Sequence, residues 1–118
     1  MNIKKAKDLC RSLPGATEDV KWGEDLVFSV GGKMFAVTGT DEKSKGISFK
    51  VDDDRFLELT DREGIVPSPY LARARWVRVA DLKATLSDGE AAHLLARSHA
   101  LVFSKLTKKL QREIEGAA

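Results

Sequence analysis

One cysteine, two histidines, three prolines and only 7% aromatic residues in a chain of 118 remove several classes of protein at once. Cys10 has no partner for an intrachain disulfide, and with His93 and His99 as the only other soft ligands no zinc cluster can be assembled. The two histidines stand six apart, off any shared helical face, and are expected to be ordinary half-buried or solvated side chains. No apolar run approaches the ~18 residues of a membrane span, and Met1 to Lys5 leads into a charged amphipathic segment instead of a signal core. A cytoplasmic protein without membrane association is expected. No Gly-x-Ser-x-Gly elbow, phosphate-cradling glycine loop or paired-histidine helix motif occurs. No catalytic residue, metal or cofactor is therefore assigned, and an enzyme is not expected.

What is present is one ordinary domain's worth of chain, residues 1–118, at 42% hydrophobic and 32% charged, able to bury a core without a staple. The net charge of +2 conceals two segregated signs. Acids gather at Glu18, Asp19, Glu24 and Asp25, and again from Asp52 to Glu63, whereas the second half is basic. There Arg73, Arg75 and Arg78 are followed, between Ala91 and Arg112, by Arg97, Lys105, Lys108, Lys109 and Arg112 with no acid.

Ile3, Ala6, Leu9 or Cys10, and Leu13 recur at helical spacing until Pro14-Gly15 stops them, and Cys10 falls in or beside that apolar stripe as a small hydrophobe. Leu26 to Val30 and Lys33 to Thr38 flank Gly31-Gly32, a two-residue hairpin turn. With Val30 opposite Lys33, regular pairing sets Phe28 against Phe35 and Leu26 against Val37 on the core face. Val27, Ser29, Met34, Ala36 and Thr38 then take the other face. Ile47 to Val51 alternates as a third strand, with Ser48 and Lys50 pointing away from the core. Asp52 is suited to cap a short helix through about Asp61. Gly64 to Tyr70, with Pro67 and Pro69, must be extended or looped, and Arg75 to Val79 follows as a strand. Ser87 and Glu90 have capping-box spacing and open a single long helix to about Glu115, buried along Leu95, Val102, Leu106 and Leu110.

This order describes an α+β fold: an antiparallel sheet with the N-terminal and C-terminal helices on one face, a short helix inserted between strands, and the other face open. Leu13-Pro14-Gly15, the hairpin from Val27 to Ala36, Ser48-Phe49-Lys50, Pro67-Ser68-Pro69-Tyr70, Arg75 to Val79 and the terminal helix together resemble the MmcQ/YjbR pattern. The resemblance spans nearly the whole chain. It implies a fold similar to CyaY and frataxin and, from the family's description as "double-wing" proteins, DNA binding. Arg75 stands where that family commonly has a histidine or another basic residue.

A frataxin-like use of the acids for iron is not expected, since the first helix carries Lys4, Lys5, Lys7 and Arg11 against Asp8 alone. Phosphate contacts are assigned to Arg73, Arg75 and Arg78, and to Lys105, Lys108, Lys109 and Arg112, the last four spaced 0, 3, 4 and 7 along one helical stripe. Trp76, Lys50, Ser48, Ser29 and Met34, together with Arg78, are assigned to the open sheet face. There Trp76 either stacks on a base or anchors a partner, or the Pro67 to Tyr70 loop folds back and covers it. The leading expectation is a monomer that binds DNA without sequence preference. The rival is a protein-interaction module that docks a partner on the open sheet face.

Overall fold

In the computed structural model, which describes residues 1–69 and 71–116, Ile3, Ala6 and Cys10 are buried along one side of helix α1 (Ile3–Ser12). The Asn2 side chain caps it by accepting from the Lys5 amide at 2.8 Å. Strand β1 (Ala16–Lys21) follows directly and pairs along its whole length with β2 (Asp25–Val30). Its sequence carries no apolar alternation because it is the sheet's edge, where Thr17, Glu18 and Asp19 face water and oppose pairing with another chain.

The remaining strands, β3 (Lys33–Gly39), β4 (Ile47–Lys50), β5 (Ile65–Pro67) and β6 (Trp76–Val79), complete an antiparallel sheet ordered β1-β2-β3-β4-β6-β5. Helix α2 (Asp53–Thr60) packs against β5 and β6, and α4 (Asp88–Phe103) against the central strands, while α1 packs on both β1 and α4. The short α3 (Leu82–Thr85) leads into α4, and α5 (Lys108–Gly116) ends the described chain. The fold is the expected α+β one, with Leu26, Phe28, Val30, Phe35, Ile47, Phe49, Val77 and Val79 in a core shared with Leu95, Val102 and Leu106.

The hairpin departs from regular pairing after its turn. Val30 does face Lys33 and Ser29 faces Met34, but Phe28 faces Ala36 and Leu26 faces Thr38, because Phe35 is the extra residue of a β-bulge. Phe35 and Ala36 both join the core, so Ala36 and Thr38 are buried and Val37, expected inside, is turned to the open face. The β3–β4 ladder ends at Ala36 opposite Phe49, leaving the Phe35 carbonyl and the Lys50 amide unpaired with each other. Ser98 of α4 bridges the two: its hydroxyl donates to the Phe35 carbonyl at 2.6 Å and accepts from the Lys50 amide at 2.9 Å, wholly buried. Ser98→Ala should therefore cost about 1–3 kcal/mol in denaturant unfolding, as two buried backbone groups lose their partner. A loss within the ~0.5 kcal/mol of an ordinary surface change would show that the bulge closes without it.

The expected single terminal helix is in fact two. Leu106 turns inward onto Gly31, whose φ of +58° and lack of a Cβ, which would lie 2.6 Å from a Leu106 methyl, both require glycine. Thr107 caps the new helix by accepting from the Leu110 amide at 3.2 Å, and the Gln111 side-chain amide donates back to the Leu106 carbonyl at 3.0 Å. Ile114 then seats α5 against Gly15.

Candidate functional site on the open sheet face

Strand pleat sends Ser48 and Lys50 of β4, and Arg78 of β6, away from the helices, and Ser48 and Arg78 are paired across the ladder. A groove of about 760 Å³ lies over this face. Met34, Val37, Ser48 and Arg78 are among the strand residues that line it. Three connections wall it: the β1–β2 turn with Trp22, the β3–β4 loop with Ser44 and Lys45, and the segment after β5 with Ser68, Pro69 and Leu71. Of the residues assigned to this face from the sequence, Met34, Ser48 and Arg78 line the groove. Ser29 and Lys50 lie outside its walls.

Trp76 does not present its ring to solvent: it is only 4% exposed. The chain after β5 doubles back beside it, with the Ser68 amide donating to the Trp76 carbonyl at 2.9 Å and the Trp76 amide to the Leu71 carbonyl at 3.2 Å. Of the two alternatives for this position, a solvent-facing indole or a covered one, the structure has the covered one. Tyr70, read from the sequence as part of the covering loop, lies outside the described residues. The exposed indole belongs to Trp22, 70% accessible at the groove rim, which sequence reasoning passed over. The signal was partial: Trp22 stands beside Gly23 among Glu18, Asp19, Lys21, Glu24 and Asp25, a stretch that reads as a polar turn.

Six of the seven cations assigned to phosphate contact, Arg73, Arg78, Lys105, Lys108, Lys109 and Arg112, are exposed and have no acidic partner among the described residues. Arg75 differs. It is held in a left-handed conformation at φ 62°, with its guanidinium bonded to Asp53 at 3.1 Å and stacked 5.3 Å over the Phe56 ring. The break between α4 and α5 also dissolves the predicted stripe, because Lys105 stands in the turn and only Lys108, Lys109 and Arg112 share a helix.

Lys105 lies instead beside Lys50, whose ammonium donates to the Ala74 carbonyl. Burial, and then the neighbouring Lys105 charge, hold the Lys50 amine below the ordinary lysine range. The two basic segments thus meet at Lys50, next to Arg73.

Two of the clustered acids are held by arginines. Asp52 begins α2 but makes no side-chain cap; its carboxylate takes a bidentate Arg97 at 2.8 and 2.9 Å, which holds it below the usual carboxylate range. The capping expectation fails because a guanidinium fork outcompetes a first-turn amide for the same oxygens. Glu18 is likewise held low by Arg11. Burial pushes the Cys10 thiol up to about 12, far from reactivity. Among the described residues no group of three or more His, Cys, Asp or Glu converges as a metal site, and no helix is long and apolar enough to cross a membrane.

The protein is thus an α+β domain with one sheet face covered by helices and, on the other, a groove whose lining includes Arg78 and Lys45. A model of the YjbR family matches residues 11–101, and the chain belongs to that family. It is similar to a Deinococcus radiodurans protein with the DUF419 domain, at 30% identity and a TM-score of 0.85 over 97% of this chain and 88% of that one. A Pseudomonas syringae protein shares the fold at 20% identity and a TM-score of 0.68, over 86% of this chain and 99% of that one. No curated protein matches the chain.

Proposed function

We propose that this YjbR-family chain is a monomeric, non-enzymatic protein that binds nucleic acid through phosphate contacts, without sequence preference. The junction of the two basic segments carries this reading: Lys105 and Lys50 stand together, Lys50 bonds the residue after Arg73, and the surrounding assigned cations other than Arg75 have no acid to neutralise them among the described residues. Like charges held this close repel in the free protein, and a polyanion relieves the repulsion while releasing its own counterions. The α5 cations Lys108, Lys109 and Arg112 are assigned to the sugar-phosphate backbone, where most protein–DNA hydrogen bonds fall.

The apolar lining contributed by Met34, Val37 and Leu71 favours the rival reading, a protein partner docked on the same face. Salt separates the two. Replacing Lys108, Lys109 and Arg112 by alanine together should flatten the slope of log affinity for DNA against log salt, by up to ~0.9 for each duplex phosphate that is no longer neutralised. An unchanged slope would remove α5 from the site.

A further inference from the structure

The groove itself bears on which form of nucleic acid is bound, an inference that rests on the phosphate-binding reading. Trp22 contributes nothing to the core at 70% exposure, and it occupies a positive φ of 54°, a conformation that a bulky side chain adopts only at a cost. Neither burial nor turn geometry explains a tryptophan there. Its ring stands at the rim of a groove whose lining offers apolar surface at Met34, Val37 and Leu71.

The same lining contains the hydroxyls of Ser48 and Ser68. Ser48 is 7% exposed and Ser68 5%, and neither hydroxyl has a hydrogen-bond partner among the described residues. Ser48 lies between Ile47 and Phe49, both in the core, so the pleat aims it into the groove. No wholly buried side-chain oxygen or nitrogen among the described residues lacks a partner, so both hydroxyls still reach solvent in the groove, where they can meet the polar edge of a ligand. Arg78 stands across the ladder from Ser48, and Lys45 rises from the β3–β4 loop; both are exposed and without an acidic partner among the described residues, against the single acid Asp25 in the lining.

A flat aromatic surface, inward hydroxyls and cations on the rim match the three parts of a nucleotide: a base face to stack, base edges to hydrogen-bond and a phosphate to neutralise. A paired base in a duplex hides both faces in the stack. We infer that the groove takes an unpaired base stacked on Trp22, so that the chain selects single-stranded over duplex nucleic acid.

The test compares a fluorescently labelled oligothymidylate with a duplex of the same length, by anisotropy at one fixed low salt, for the native chain, Trp22→Ala and Trp22→Phe. Trp22 is exposed, so both variants should unfold at the native temperature. The native chain should prefer the single strand. Trp22→Ala should weaken that binding by about 5- to 150-fold, the range for loss of one base–aromatic stack, while duplex binding is unchanged and Trp22→Phe recovers much of the loss. Single-strand affinity untouched by Trp22→Ala, or equal native affinity for both forms, would overturn the inference and leave the phosphate-binding reading standing. Failure to bind either form would overturn both.

Discussion

Trp76→Ala is expected to lower the free energy of unfolding by about 3–5 kcal/mol, the range for deleting a core aromatic ring. The indole is 4% exposed although it lies on the sheet face away from the helices, and its backbone is tied on both sides to the segment that follows β5. Deleting the ring would leave a cavity beneath that segment, which also supplies the Ser68, Pro69 and Leu71 wall of the groove. Urea unfolding checks the stability term. A loss below about 1 kcal/mol would mean that the ring is accessible in solution and that Trp76 again competes with Trp22 as the stacking residue.

Phe28→Ala should be equally severe, at about 3–5 kcal/mol. Phe28 is wholly buried at the centre of β2, its ring 6.3 Å from that of Phe35 and covered by the Arg11 guanidinium at 5.9 Å. The same denaturant experiment on Val37→Ala tests the bulge. Val37 faces the groove and is only partly buried, so its truncation should cost much less. A Val37→Ala loss as large as that of Phe28→Ala would restore the regular hairpin register, with Val37 in the core.

Local chemistry made much of this fold legible. Gly31-Gly32 can be little other than a tight turn, Ile47 to Val51 alternates without ambiguity, and Ser87 caps α4 by accepting from the Glu90 amide at 3.2 Å. The features that escaped are those decided at long range. Lys33 to Thr38 reads equally well as a regular or a bulged strand, and the choice depends on a serine 63 residues away along the chain. The break after Phe103 is set by Leu106 reaching Gly31, an approach invisible to helical periodicity.

The candidate site divides along the same line. Alternation placed Ser48, Met34 and Arg78 on the open face, because a strand's pleat is local. Which tryptophan is exposed there depends on where a proline-containing loop folds, and no spacing rule contains that. The exchange of roles between Trp76 and Trp22 is therefore tertiary in origin, as is the meeting of Lys105 with Lys50 across two separate elements.

The most direct test of the central claim is the salt dependence of binding by the native chain to a single-stranded oligonucleotide, measured across a series of sodium chloride concentrations. Phosphate binding predicts that log affinity falls linearly with log salt, by about 0.7 for each phosphate neutralised on a single strand. Affinity that holds level across the series, or an absence of binding even at the lowest salt, would contradict it.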